Sequence, residues 1–178
     1  MKESMVQVIC GPGRGKSASA LGMGISALTK NQMVIMVQFL KGAMDPRNLE
    51  VVKRLEPEFK LFRFEKSDTI FEQMSEKEKE EARFNIRNGL NFAKKVLGTG
   101  ECHVLILDEI LAILDEGVIT LEELTGLIVQ ARQMEIRLIL TGTVYPESLD
   151  PYVDEITRIQ TRCGEGWERG RQDCPERN

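Results

Sequence analysis

An apolar run, Met5 to Cys10, breaks without a linker into Gly11-Pro12-Gly13-Arg14-Gly15-Lys16-Ser17, and an apolar, helix-like segment follows at once. Strand, glycine-rich turn and helix start in this order form the layout of a phosphate cradle. Glycines let the backbone turn through positive φ and bring N–H groups against an anion. A helix start adds unpaired N–H groups and the positive end of a dipole. Lys16 and Ser17 supply a cation and a hydroxyl that can face a metal.

The usual nucleotide-binding P-loop reads G-x-x-x-x-G-K-[ST]. Cys10 stands where its first glycine would be, so this loop begins at Gly11 and is one residue short. An ordinary glycine-rich turn with a stray lysine is the plainer alternative. It would have to account for three alternate glycines and Gly-Lys-Ser at a strand-to-helix junction.

The rest of the chain alternates strand-like and helix-like segments. Lys16 to about Thr29 reads as a helix with Leu21, Ile25 and Leu28 on one face; Gly22 and Gly24 weaken it and mark close packing on a sheet. Met33 to Phe39 is a second, almost unbroken apolar strand, as expected when both sheet faces are covered. Asp45-Pro46 reads as a cap followed by proline at the first helical position, with Leu49, Val52 and Leu55 on one face. Phe59 to Phe64 is a third strand, and Glu65 to Gln73 a loop. Ser75-Glu76-Lys77-Glu78 is a capping box opening a helix with Ala82, Ile86, Leu90, Ala93 and Leu97 in one stripe, ended by Gly98. Thr120-Leu121-Glu122-Glu123 opens another helix, and Ile136 to Leu140 is a strand running into Thr141-Gly142-Thr143. A short helix is expected over Pro146 to Val153 and a last strand over Asp154 to Gln160.

Between these helices, His103-Val104-Leu105-Ile106-Leu107 is an apolar strand ending in Asp108-Glu109. Paired with the glycine loop in the same sheet, a strand closed by carboxylates supplies the hard oxygens that a phosphate-bound Mg²⁺ needs. Residues 1–160 are thus expected to form a single nucleotide-binding domain, and 161–178, with Trp167, a mobile tail.

The chain has 178 residues and a formal net charge of -4, which gives no footprint for a nucleic-acid backbone. Four dispersed cysteines and one histidine suggest neither a zinc site nor a disulfide framework. No apolar run reaches membrane-spanning length, and no signal region precedes the first strand. The expectation is a cytoplasmic protein with neither nucleic-acid nor membrane partners.

With these pieces in order, the chain resembles the ATP:corrinoid adenosyltransferases of the cobalamin salvage type. The resemblance rests on the shortened loop Gly11 to Ser17, on Val37-Gln38-Phe39-Leu40-Lys41-Gly42, on Val104 to Glu109, and on Leu140-Thr141-Gly142, and it extends from Val6 to about Ile159. It implies an α/β, three-layer RecA-like P-loop fold, with a mostly parallel sheet of about six strands and helices on both faces. It also implies ATP reversed along the loop, with its terminal phosphate where other P-loop proteins hold the first. A reduced Co(I) corrinoid would attack the ribose C5′ and triphosphate would leave. Gly11, Pro12, Gly13, Arg14, Gly15, Lys16, Ser17 and Ala18 would bind the nucleotide. Lys16 and Glu109 would be catalytic, and Ser17, Asp108 and Glu109 would hold Mg²⁺. A reductase as electron donor and a homodimer are further implied.

The corrinoid side departs from the family. There is no basic segment before the first strand. The family's Gly-Phe-Thr-Trp-like stretch is Phe64-Glu65-Lys66-Ser67-Asp68-Thr69-Ile70-Phe71 here, its Thr-Gly-Arg is Thr141-Gly142-Thr143, and Arg162 to Trp167 replaces a Lys-His-rich motif. Two alternatives stay open: a RecA-like ATPase or small-molecule kinase with Glu109 orienting the acceptor, and a non-catalytic ATP-binding relative.

Overall fold

Three stretches of five residues, β1 (Val6–Cys10), β2 (Val34–Gln38) and β4 (Val104–Asp108), are buried at every position. Strands buried on both faces read as continuous apolar runs, which is why alternation is missing from the sequence. In the computed structural model, which describes residues 4–40, 46–64 and 74–164, these strands join β3 (Phe59–Arg63), β5 (Arg137–Thr141) and β6 (Glu155–Arg158) in one six-stranded sheet. The order is β3-β2-β4-β5-β1-β6, and every pairing is parallel.

Side-chain alternation divides the core into two layers. Ile35, Val37, Leu105, Leu107, Leu138 and Leu140 point to the side covered by α3 (Glu76–Thr99), α4 (Ile110–Asp115) and α5 (Leu121–Gln133). Val34, Met36, Ile106 and Ile139 point the other way, against α1 (Lys16–Leu28) and α2 (Pro46–Lys53). The three-layer α/β expectation therefore holds.

Several local expectations need correcting. The buried face of α1 is Ala20, Gly24 and Ala27, with Leu21 and Leu28 partly buried against the same core as expected, while Ile25 is exposed. Gly24 marks a close approach, since a Cβ there would come within 2.6 Å of the Phe59 ring; Gly22 has open space. Helix α3 runs through Gly98 and ends at Gly100, whose φ of 65° provides the left-handed C-cap. Helix α4, directly after Asp108-Glu109, was not foreseen. The expected helix near Pro146 is a 3-10 turn, Glu147–Tyr152, and β6 is shorter than anticipated.

Cys163 is disulfide-bonded, whereas sequence spacing, which does not report proximity, suggested no disulfide; Cys10 and Cys102 are free and buried. The proposed Asp45 cap, the loop at Glu65 to Gln73, and most of the 161–178 tail with Trp167 lie outside the described residues. Among the described residues no helix is long and apolar enough to cross a membrane.

Candidate nucleotide site

The loop between β1 and α1 is fastened along its first half and open along its second. Gly11 N–H donates to Thr143 O (3.0 Å), Gly13 N–H to Ile159 O (2.9 Å), and Arg14 N–H to Thr161 Oγ1 (2.8 Å). The glycines make this packing possible: a Cβ on Gly11 or Gly13 would stand 2.5 or 2.6 Å from Ile159 O. At Gly15 the demand is conformational, with φ 101° and no neighbour within 4 Å. From Gly15 to Ala18 the backbone N–H groups meet no protein acceptor among the described residues, and no side chain caps α1. Unpaired donors at a helix start are the requirements of an anion site.

Lys16 folds back over the loop, its Nζ donating to Gly11 O and Gly13 O at 2.9 Å each. The ammonium is thereby held at the mouth of the turn. Its charge offsets part of the upward shift of the Glu109 carboxyl at the end of β4, so the loop and that strand end lie within electrostatic reach of each other.

Across the carboxyl ends of β2, β4 and β5 runs a buried polar row on the α1 side of the sheet. Asp108, fully buried, accepts from Thr141 Oγ1 at Oδ1 (2.7 Å) and from Gln38 Nε2 at Oδ2 (2.8 Å). Thr141 Oγ1 in turn accepts from Glu109 N–H (2.8 Å). Glu109 adopts φ 61°, uncommon for a residue with a side chain, and this left-handed turn starts α4. Burial, then the charge of Asp108, pushes the Glu109 carboxyl above its ordinary range. Gly142 lets β5 end against α4, since a Cβ there would stand 2.4 Å from Leu111 Cβ.

This oxygen set suits a hard divalent cation. Ser17 has a hydroxyl without a protein partner among the described residues, Glu109 is half-buried, and the buried Gln38 Oε1 has no hydrogen-bond partner. No group of three or more His, Cys, Asp or Glu able to hold a metal occurs among the described residues. A cation here would share its coordination with phosphate oxygens, as Mg²⁺ does in nucleotide sites.

Sequence reasoning missed the clamp formed by Thr143, Ile159 and Thr161, because contacts spanning some 130 or more residues leave no local pattern. It quoted Gln38 within the segment Val37 to Gly42 but gave the residue no role in the site. Phe64, weighed as a substitute for the family's aromatics, packs 5.7 Å from Phe92 and against Gly89, in the core. Phe71 lies outside the described residues.

The family model that describes ATP:corrinoid adenosyltransferases (BtuR/CobO/CobP) matches residues 2–167, nearly the whole chain. The chain belongs to this family of transferases. It is 28% identical over 166 residues to an uncharacterised protein of Nostoc sp., an alignment covering 81% of this chain and 40% of that relative. The chain thus spans well under half of the curated relative's length. Among solved structures it is similar to the flagellar accessory protein FlaH of Methanocaldococcus jannaschii, with TM-score 0.59 and 16% identity over 92% of this chain and 74% of that one. At that identity the likeness shows the fold, a RecA-like α/β architecture.

Proposed function

We propose that this protein transfers the 5′-deoxyadenosyl group of ATP to the cobalt of a reduced corrinoid and releases triphosphate. The observation that carries the reading is the one-residue-short loop, fastened at Gly11, Gly13 and Arg14 and open from Gly15 to Ala18 beneath the Lys16 ammonium. Family membership directs it toward adenosylation.

In this reading ATP lies reversed along the loop with its ribose C5′ outward. Co(I) donates an electron pair to C5′, the C5′–O bond breaks, and its pair leaves on triphosphate, so the cobalt ends as alkylated Co(III). The protein supplies no nucleophile. Its work is to place the reactants and neutralise charge on the leaving group. The N–H groups of Gly15 to Ala18 would grip the phosphate oxygens, and Lys16 would leave the Gly11 and Gly13 carbonyls for a phosphate. Asp108, pinned by Gln38 and Thr141, fixes the position of Glu109. Ser17 and Glu109, with Asp108 behind them, would hold Mg²⁺, which offsets phosphate charge when bound. A reductase must supply Co(I), which a reducing cytoplasm would preserve, and the family resemblance supports a homodimer.

Incubation with ATP, Mg²⁺ and chemically reduced cobalamin is expected to yield a light-sensitive cobalt–carbon product and triphosphate. ADP and phosphate in their place would overturn the reading in favour of phosphoryl transfer. Lys16→Ala is expected to weaken ATP binding by about a hundredfold, given roughly 1.5–3 kcal/mol per charge-assisted hydrogen bond. Isothermal titration of the two proteins measures the difference.

A further inference from the structure

Gln38 is the member of the polar row with unfinished bonding. Its Nε2 donates to Asp108 Oδ2, which fixes the orientation of the amide. Its Oε1, in a residue 1% exposed, has no donor partner. Leaving a buried amide oxygen unpaired costs as much as a lost hydrogen bond, and an apolar side chain of the same length would avoid that cost. The other two members of the row have no donor to spare: Asp108 only accepts, and the Thr141 hydroxyl proton is already given to Asp108.

Among the described residues no group donates to Gln38 Oε1, so a donor brought in with the bound ligand would complete its bonding. Triphosphate oxygens at neutral pH accept hydrogen bonds and cannot fill the role. A water molecule bound to a divalent cation is a strong donor. The neighbourhood suits one, because Gln38 shares the α1 side of the sheet edge with Asp108 and lies directly across from it in the β2–β4 register.

We propose that Gln38 is a positioning residue for the divalent cation of the nucleotide site: Nε2 holds Asp108, and Oε1 accepts a hydrogen bond from a cation-bound water. The proposal rests on the nucleotide reading above and adds a residue to it. Gln38 makes no contact with the reacting atoms and acts through the cation's hydration shell.

The test is the metal dependence of ATP binding, measured by titration calorimetry in Mg²⁺ and in EDTA for the wild type and Gln38→Met. The variant is expected to lose roughly tenfold of the affinity that Mg²⁺ confers, with binding in EDTA changed by less than about twofold. Equal loss in both conditions, or none, would overturn the proposal and leave the nucleotide site standing. Failure of the wild type to bind ATP in either condition would remove both. Should Gln38→Met not fold, the wild type still decides: the ¹⁵N-detected side-chain amide of Gln38 is expected to shift when Mg²⁺ is added to ATP-saturated protein. An unmoved resonance would overturn the assignment.

Discussion

The longer helices of this chain begin in two different ways. Helices α3 and α5 each open with a complete capping box: Ser75 accepts from Glu78 N–H and Thr120 from Glu123 N–H, while each glutamate reaches back to the cap's own N–H. Both carry two acidic residues in the first turn. Helix α1 has the opposite start, with a left-handed glycine for a cap, no side-chain acceptor and no acid in its first turn. The same electrostatics governs all three. Where the chain supplies its own oxygen and negative charge, the helix end is finished; where it withholds both, the end is available to an anion from outside.

The sharpest way to break that contrast is to finish α1. Ala18 is exposed and occupies the third helical position, the place Glu78 and Glu123 take in their helices. Ala18→Glu is expected to stabilise the free protein by about 0.3–1 kcal/mol through the helix dipole. It should also oppose bound phosphate: one like-charge pair at roughly 5 Å and effective dielectric ~20 costs about 3 kcal/mol, on the order of a hundredfold in ATP affinity. Thermal unfolding and ATP titration read the two effects, with Ala18→Gln as the uncharged control. A more stable variant with undiminished ATP affinity would mean that the start of α1 is not where the anion sits.

The contrast also explains what could be read from sequence. Capping boxes lie within four consecutive residues, so the starts of α3 and α5 were plain, as was the Gly11 to Ser17 turn. The buried strands announced themselves by unbroken apolar runs. Helix α4 is six residues long, too short for a helical period to register. The buried face of α1 was read only in part: Leu21 and Leu28 border the core, but small residues, Ala20, Gly24 and Ala27, make the closest contact while the larger Ile25 is outside. The fastening of the loop by Thr143, Ile159 and Thr161 depends on β5 and β6 docking on either side of β1, tertiary events without a local signature.

Removing a finished end should cost stability and nothing else. Thr120→Ala and Ser75→Ala are each expected to lose about 1 kcal/mol, a fall of about 2–4 °C in thermal midpoint for a chain of this size. Thr120→Ala should be the more damaging, because Glu123 also pairs with Arg87 of α3 and so ties two helices together. ATP affinity should be unaltered in both. A loss of affinity as large as that from Ala18→Glu would show that the three helix starts are not independent.

The smallest effect is expected from acid. The Ser75 hydroxyl and N–H hold the Glu78 carboxyl below its ordinary range, and the Thr120 N–H, with Arg87 behind it, does the same for Glu123. A carboxyl depressed in the folded state contributes stability that is fully present above its unfolded value, near 4.3, and is lost as pH falls through the lower folded value. Lowering pH from 6 toward 3 should therefore loosen the first turns of α3 and α5. The start of α1 has no carboxylate to lose, and its first hydrogen-bonded amide, Ser19 N–H on Gly15 O, should keep its protection over the same range, apart from global unfolding. Amide hydrogen exchange on the ATP-free protein, compared helix by helix, gives the measurement. Parallel loss of protection in all three would show that the acid response comes from the whole fold, and the distinction between finished and open ends would then have no bearing on it.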